Sequence, residues 1–371
     1  MASEIYDKIY IGSGPILLLD AINESLKGTK TLTLDKNKVI GGAWKTINIF
    51  GFNNLENAVH YLMPNKNGYK FLEEIMDIKL GKRGYNKYYA RSYFGINILF
   101  KTNNLLGKLI TKLESKNFNI KYFRNFLKEF FKENSINYSR YPIKGSKVLL
   151  DKITNLINKT KLKIRLNEEV IGININKKKV RILTKKGEYF ANQIVISHGF
   201  IPPPELNIFS KKIKLKKKIF PRPSLHILIN LENNNSNTNK INFSQILFQK
   251  SSPIKYLHEI TQFIDKEENN NNKYVIVAAL RHNLKNNIRT KRLVINELLK
   301  FKILPELKTI KEIDFYWQDI FLPMINNADL KKLKKAGNGR IKVMRTEELA
   351  SAFSYYEKDW NYLKDLMKIT F

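Results

Sequence analysis

The sequence predicts an α/β fold with two lobes, and three observations predict it. A short apolar strand at residues 8–11 is followed by the turn Gly-Ser-Gly-Pro and by an apolar helical stretch at residues 16–26. A second strand, residues 31–34, ends in the acid Asp35. Much later, alternating segments between residues 224 and 280 are typical of a separate sheet. The first two features form a βαβ unit of the Rossmann type, and the third indicates a smaller α+β lobe beside it.

The order of elements divides the chain into five segments. We expect the Rossmann-type domain to comprise residues 1–64 and 141–205, and residues 331–371 to return to it. Residues 65–140 carry aromatic and basic side chains at mostly helical spacing, which predicts a helical insert in the smaller lobe. Residues 206–330 would supply the sheet of that lobe.

Hydrophobic periodicity and turn residues predict the remaining elements. Helices are expected at residues 148–157, where the pattern is amphipathic, and at residues 286–301 and 346–356. Strands are expected at residues 163–166, 170–175, 180–184, 189–191, 193–197, 224–231, 245–249, 254–261, 273–280 and 341–344. The three strands between residues 170 and 191 read as a small antiparallel meander.

Composition sets limits on the chemistry. The chain of 371 residues has no cysteine, which excludes disulfides, thiolate metal sites and cysteine nucleophiles. Its histidines show no metal-ligand spacing, so no metal site is predicted. We expect a cytoplasmic protein, because the sequence has neither a signal peptide pattern nor an apolar run long enough to span a membrane. The sequence makes no prediction of oligomeric state.

The chain is strongly basic, with a formal net charge of +33 at pH 7. Such a surface attracts polyanions, including nucleic acid. Lys, Asn and Ile are abundant throughout, however, as nucleotide bias in a genome would produce, and the basic residues are spread along the chain. The densest cluster is at residues 211–218. A nucleic-acid partner is therefore the less favoured interpretation.

The glycine turn has the spacing of a dinucleotide site. Gly12 and Gly14 occupy the positions where the chain must turn tightly and let a pyrophosphate approach the helix N-terminus. Pro15 suits the first helical turn, which does not need its N–H. Leu17 stands where a third glycine is usual. Because Asp35 falls where a carboxylate can bind ribose hydroxyls, we favour dinucleotide binding over an ordinary strand-to-helix turn.

The segment that follows Asp35 indicates which dinucleotide is bound. It begins with Lys36 and contains Gly41, Gly42, Ala43 and Trp44. This segment resembles the paired-glycine signature of the flavoprotein superfamily that includes amine oxidases, protoporphyrinogen oxidases and UDP-galactopyranose mutases. The resemblance implies FAD as cofactor, with the paired glycines running close to its diphosphate and ribityl portion, and with Trp44 either walling the cofactor site or packing in the core.

Shorter blocks in the same order extend the resemblance. Residues 51–62 resemble the strand that carries His60 against the isoalloxazine ring, and residues 141–146 resemble the turn that follows the inserted lobe. By the same resemblance, the main chain at Val170 would meet the adenine and Ser197 would end the strand that returns to the nucleotide. Arg340, in Gly-Arg-Ile, resembles a mutase segment whose arginine lies beside the flavin.

Three residues are candidates for catalysis, each with a structural alternative. His60 could exchange a proton near neutral pH, or form a structural hydrogen bond. Arg340 could neutralise reduced flavin or a phosphate with its planar guanidinium, or be a solvated turn residue. His258, beside Glu259, could face the substrate because alternation turns only one of the pair inward, or it could be structural.

Together these observations predict an FAD-dependent oxidoreductase that acts on a small molecule. No second Gly-x-Gly-x-x-Gly unit is found, so a nicotinamide domain is not expected. Two alternatives stay open: a mutase-like isomerase of nucleotide sugars, favoured by Arg340 and the basic surface, and a non-catalytic protein that retains the fold. Leu17 favours the second alternative, as does the absence of the C-terminal Gly-Asp pair of amine oxidases, for which residues 337–339 are the nearest substitute.

Overall fold

The computed structural model describes residues 4–57, 66–83, 87–93, 95–101, 139–197, 203, 205–213, 215, 217–231, 243–263, 273–281, 283–304, 309–325 and 327–344. The strands are β1 (Ile5–Ile11), β2 (Thr31–Leu34), β3 (Thr46–Ile49), β4 (Phe52–Glu56), β5 (Leu80–Arg83), β6 (Lys87–Tyr93), β7 (Ile96–Lys101), β8 (Ser139–Pro142), β9 (Lys163–Arg165), β10 (Val170–Ile175), β11 (Val180–Thr184), β12 (Glu188–Ser197), β13 (Glu205–Ile208), β14 (Lys211–Lys212), β15 (Lys217–Leu231), β16 (Gln245–Phe248), β17 (Ile254–Glu259), β18 (Lys273–Leu280), β19 (Ile310–Ile325) and β20 (Ile341–Met344). The helices are α1 (Pro15–Leu26), α2 (Lys66–Lys70), which continues as a π-helical turn at Phe71–Ile75, α3 (Ser146–Asn158), α4 (Ile288–Lys300) and α5 (Asn327–Ala336).

A sheet of nine strands forms the first lobe. Its order is β14-β13-β10-β11-β12-β1-β2-β9, and β20 pairs with the second half of β12. Strands β20, β12, β1, β2 and β9 are parallel, so their carboxyl ends meet at one edge. In open parallel sheets, ligands bind outside this edge.

Helices cover both faces of the parallel strands. Helices α1 and α3 pack on one face, where Ile16, Leu149 and Ile153 are buried together with Tyr10 of β1. On the other face, α5 and the meander of β10 and β11 bury a second apolar cluster. The nine consecutive residues at the start of α1, Pro15–Asn23, are all buried, because α1 lies between the sheet and α3.

A second sheet has the order β19-β15-β18-β17-β16-β6-β7. All its pairs are antiparallel except β16 with β6. Helix α4 covers one face through Val294 and Leu298. The other face meets the β3–β4 hairpin, where Phe52 and Leu55 pack against Leu228 and neighbouring valines. The second sheet contains the strands between residues 217 and 325, together with β6 and β7. Residues 206–212, which were also expected in this sheet, instead pair at the edge of the first sheet in β13 and β14. The fold is the predicted α/β class.

The segment 65–140 differs from its helical expectation in the part that the structure describes. Helical structure covers residues 66–75, after which β5, β6 and β7 follow. Aromatic and β-branched residues favour a pleated surface when partner strands are present, and β6 pairs with β16, about 160 residues later. Residues 102–138 and the predicted closing helix at 346–356 lie outside the described residues.

Further differences concern individual strands and one helix. The strands predicted at 189–191 and 193–197 are one continuous strand, β12. Strand β15 begins seven residues earlier than the predicted start at Ser224. Five strands and one helix were not predicted at all, namely β3, β8, β13, β14, β19 and α5. No helix in the described ranges is long and apolar enough to cross a membrane.

Candidate functional site

The glycine turn leaves the N-terminus of α1 open. Gly12 has a φ of +105°, which favours glycine, and a Cβ there would lie 3.4 Å from Cδ1 of Leu17. Leu17 thus fills the space that a third glycine would leave. Gly14 is the N-cap residue, and a Cβ there would meet nothing within 4 Å. Because Pro15 has no N–H and the first helical bond runs from Leu18 N to Gly14 O, the preceding amides point out of the helix, as anion sites require.

The paired glycines fold back onto this turn. The N–H of Gly41 donates to Ser13 O over 2.9 Å. A Cβ on Gly42 would lie 3.3 Å from the Cα of Gly14, and one on Gly41 would clash with Leu150 at 2.9 Å. Both paired glycines also have positive φ, +109° and +57°. The two glycine segments therefore form one surface that side chains would disrupt.

Asp35 lies at the carboxyl end of β2 and is buried. Its Oδ2 accepts from the N–H and the hydroxyl of Ser13, over 2.7 and 2.5 Å. Its Oδ1 accepts from the N–H and the side-chain amide of Asn37, over 2.7 and 2.8 Å. Both carboxylate oxygens are thus held in fixed directions beside the glycine turn.

The start of β10 lies next to this acid. The N–H of Glu168 donates to Asp35 O over 2.8 Å, and the N–H of Asn167 donates to Asn37 O over 2.9 Å. Val170 follows directly and is half-buried against the second apolar cluster. The structure therefore brings Val170 to the same corner as Asp35.

Lys36 and Ser197 also lie at the carboxyl edge of the parallel strands. Lys36 is exposed next to Asp35. The hydrogen bond and the charge of Lys185 lower the pKa of Glu169, and the charge of Lys36 adds a smaller effect in the same direction. Ser197 is the last residue of β12, half-buried, and pairs with Met344 at the carboxyl ends of the parallel strands. The two residues lie on the side of the sheet where a dinucleotide site is expected.

Trp44 lies between the edge and the core. Its ring stacks on Tyr141, with centroids 5.9 Å apart and planes 25° from parallel, and it packs against the cluster around α1. The phenol of Tyr141 also meets Phe263 edge-on at 5.4 Å. Ala43, in contrast, is exposed. Trp44 therefore packs in the core, which was one of its two predicted roles. It also lies two residues after the paired glycines in the chain.

The sequence analysis missed a buried acid, Glu56, which contacts Tyr141 of the Trp44–Tyr141 stack. Glu56 is 2% exposed, and its carboxylate accepts from the hydroxyl of Tyr141 and from the N–H and hydroxyl of Ser146. A negative charge at the N-terminus of α3 is favoured by the helix dipole. Gly145 makes the contact feasible, because a Cβ there would lie 2.5 Å from a Glu56 oxygen.

The structure describes two of the three catalytic candidates, Arg340 and His258, and they lie at different sheets. His60 lies outside the described residues. Arg340 precedes β20, at the end of the parallel strands opposite the glycine turn, and donates to the carbonyl oxygens of Asn192 and Lys177. His258 is buried in the second sheet, where its ring meets Tyr256 edge-on at 5.2 Å. Arg340 is therefore far from the paired glycines along β20 and β12.

A second buried histidine shares the sheet face of His258. In the strand register, His226 and His258 both pair with Val277, from opposite sides. The Nε2 of His226 lies 3.3 Å from the carbonyl oxygen of Glu56. Burial lowers the pKa of His226 to about 4, and hydrogen bonding to the main chain of Glu56 and Asn57 acts in the opposite direction. The sequence signal was the pair Ser-x-His at the start of the apolar run that ends β15.

Comparison with known proteins identifies the fold. No family model and no curated protein matches this sequence. Among solved structures, the chain is similar to a protein described as a protoporphyrinogen oxidase from Exiguobacterium sp. 255-15, with a TM-score of 0.65, 11% identity, and 98% of this chain and 100% of that chain covered. It is similar to a putrescine oxidase bound to putrescine, with a TM-score of 0.63, 11% identity, and 99% and 100% covered. It is also similar to a Rab GDI from Plasmodium falciparum, with a TM-score of 0.53, 15% identity, and 98% of each chain covered. At these identities the likeness establishes a shared fold.

Proposed function

We propose that the protein binds FAD at the carboxyl edge of its parallel strands and acts as a flavin-dependent oxidoreductase on a small molecule. The observation that carries this proposal is the packing of Gly42 against Gly14, next to Asp35. Three sequence segments are needed to build this corner, and each has the residue type that a dinucleotide requires. The oxidases among the structural neighbours support the proposed reaction class.

The residues at the edge fit the parts of FAD. The open amides at the start of α1 suit the diphosphate, and the absence of side chains at Gly14 and Gly42 lets it approach the main chain. Asp35 suits the ribose hydroxyls, and the main chain at Val170 suits the adenine. A carboxylate offers about four acceptor positions, and in Asp35 the donors of Ser13 and Asn37 occupy them. We therefore expect a side-chain donor, the Asn37 amide or the Ser13 hydroxyl, to give way to the ribose.

The chain contributes binding and positioning, while bound FAD supplies the redox chemistry. Glu56 holds the start of α3 and, through Tyr141, the ring of Trp44 beside the paired glycines. His60 stays a prediction for proton transfer. We leave Arg340 out of the proposed site, because its guanidinium is used by main-chain carbonyl groups at the opposite end of β20.

A non-catalytic flavin-fold protein is the second candidate function. The observation that favours it is the Rab GDI neighbour, whose name is not that of an oxidase, although it covers as much of the chain. The mutase-like alternative rests on the sequence alone. The two main candidates differ in one property, since an oxidoreductase reduces its bound flavin with a substrate and a binding protein does not.

FAD binding is tested with matched charge-removing variants. Cofactor released from the purified protein is identified by chromatography, and the affinity of the emptied protein for FAD is measured by flavin fluorescence. We expect Asp35→Asn to weaken FAD binding about tenfold to hundredfold, because hydrogen bonds to a charged acceptor are lost. Glu312→Gln, which removes the same charge from an exposed residue of β19, should leave the affinity unchanged. A wild-type protein without affinity for FAD would refute the proposal.

A further inference from the structure

A cavity lies between α3, the β3–β4 hairpin and the loop that carries the paired glycines. Its volume is about 370 Å³, which is within the range of small-molecule sites. Gly42 packs against Gly14, whereas Gly41 packs against Leu150 of α3, so the loop separates this cavity from the glycine turn. The described lining residues include none of those in the proposed FAD site. This space, hereafter the hairpin cavity, is therefore a second place where a small molecule fits.

Helix α3 lines the hairpin cavity with one polar face. Lys147, Asp151 and Thr154 are spaced four and three residues apart, so they lie on the same side of the helix. Lys147 is half-buried, and within the described ranges neither it nor Asp151 forms an ion pair. The hydroxyl of Thr154 donates to Leu150 O over 2.8 Å, which leaves its oxygen as an acceptor. One ammonium group and one carboxylate on this face are therefore available to a ligand.

The loop and the hairpin add hydrogen-bond donors to the cavity. Lys45 is half-buried and forms no ion pair with the part of the chain that the structure describes. The Oδ1 of Asn48 accepts from the N–H of Asn54 over 3.0 Å, and the hydroxyl of Thr46 donates to Asn54 Oδ1 over 3.3 Å. Because the oxygens face these donors, the NH₂ groups of both asparagines remain as donors to a ligand. The described lining thus offers two ammonium and two amide groups against one carboxylate.

The balance of donors and acceptors indicates the class of ligand. Ammonium groups and the amide NH₂ groups can only donate, so they require an acceptor-rich and anionic partner. A phosphate monoester has three acceptor oxygens and a charge of about −1.5 to −2 at pH 7, which matches the two lysines better than a single carboxylate does. Asp151 and Thr154 accept hydrogen bonds, so they suit hydroxyl groups on the same molecule.

We infer that the hairpin cavity is a binding site for a small phosphate ester that carries hydroxyl groups, such as a sugar phosphate. Lys45 and Lys147 bind the phosphate, and Asp151 accepts a hydrogen bond from a ligand hydroxyl. The site is separate from the proposed FAD site, because the paired-glycine loop lies between them. It goes beyond the proposed function and does not depend on it.

Three probes with one sugar ring and different charge test the ligand class. Glucose 6-phosphate carries a phosphate, glucuronate carries a carboxylate, and glucose is uncharged. Calorimetric titration gives the three affinities and the stoichiometry, and one site per chain distinguishes the cavity from general attraction to the basic surface. We expect glucose 6-phosphate to bind at least about tenfold more tightly than glucuronate, and glucose to bind most weakly. Equal binding of the three, or no binding of glucose 6-phosphate, would overturn the inference.

A matched pair of variants on one helix tests the location. Lys147→Gln removes one of the two ammonium groups, so we expect the affinity for glucose 6-phosphate to fall about tenfold. Lys152→Gln removes the same charge from α3, but this lysine pairs with Asp77 and is not part of the cavity lining. It should change the affinity by less than about twofold. Equal losses in the two variants would show an effect of overall charge and would refute the hairpin cavity as the site.

Titration of the emptied protein and of the FAD-saturated protein separates this inference from the proposed function. Glucose 6-phosphate should bind both forms with one site per chain. If it binds only the emptied form, its phosphate occupies the glycine turn, and the inference is wrong although FAD binding stands. Protein without affinity for FAD refutes the proposed function alone, and binding of glucose 6-phosphate that depends on Lys147 then still supports the hairpin cavity.

Discussion

His226 combines complete burial with a ring that hydrogen-bonds only through Nε2. Burial lowers its pKa from 6.5 to about 4 in the folded protein. A depressed pKa means that the unfolded chain binds the proton more readily than the folded one. The stabilisation by the neutral ring is therefore fully present above about pH 6.5 and is lost as the pH falls towards 4.

The pH dependence of unfolding tests this description of His226. We expect the free energy of unfolding of the wild type to include a loss of about 3 kcal/mol between pH 6.5 and 4 that His226→Gln lacks. The measurement is urea unfolding at several pH values in both proteins. Because carboxylates add their own acid dependence, the difference between the two curves is the quantity to compare. Parallel curves would show that the ring of His226 titrates normally.

At the residue scale, the sequence predicted the contacts around the glycine turn and missed the contacts between distant segments. Gly12, Gly14, Asp35 and the paired glycines lie within about 30 residues of one another, and their spacing alone places them in one corner. Glu56 and His226 are 170 residues apart, and their contact depends on how two sheets meet. No periodicity in the sequence carries that information.

At the level of elements, Asp20 connects three pieces of the first lobe. It lies inside α1, is 2% exposed, and accepts from the hydroxyl of Tyr10 in β1 over 2.8 Å. Lys342 of β20 approaches both of its carboxylate oxygens, at 2.9 and 3.0 Å. The last described strand is thereby joined to the helix at the glycine turn, although more than 300 residues separate the two in sequence.

Removal of the lysine should leave the buried Asp20 carboxylate without the counter-charge that Lys342 supplies. We expect Lys342→Met to lower the free energy of unfolding by about 1–3 kcal/mol, less than for a fully buried pair because the lysine is partly exposed. The double variant Asp20→Asn/Lys342→Met should lose less than the sum of the two single changes, which urea unfolding measures as a coupling energy. Lys331→Met, at an exposed position of α5, is the control. Additive losses would show that the pair does not interact.

Some strands were predicted from the sequence with their observed bounds, whereas β19 was missed. The strand at 341–344 and the strand at 273–280 were predicted with the bounds that the structure has. Strand β19 was missed although Ile313, Phe315 and Trp317 alternate with polar residues and pack on the core of the second sheet. Its long pairing with β15 bridges about 90 residues of chain, and an edge strand with one partner has a weak local signal.

For the whole molecule, the proposed FAD site depends on the complete first lobe. Its parts come from the turns after β1 and β2, the start of β10 and the end of β12. Hydrogen bonds between main-chain groups join these parts, as from Gly41 to Ser13 and from Glu168 to Asp35. Unfolding of the lobe therefore removes the site, and a ligand that binds only the folded chain must stabilise it.

Thermal unfolding with FAD and with ADP tests this coupling. At a free concentration about 100 times its dissociation constant, FAD should add about 2.7 kcal/mol to the free energy of unfolding and raise Tm accordingly. ADP contains the diphosphate and adenosine that α1, Asp35 and Val170 are proposed to hold, so it should also raise Tm, but at higher concentration. In Asp35→Asn both shifts should shrink together, because the two ligands share the ribose. If FAD raises Tm and saturating ADP does not, the binding energy comes from the flavin ring and not from the residues at the glycine turn and Asp35.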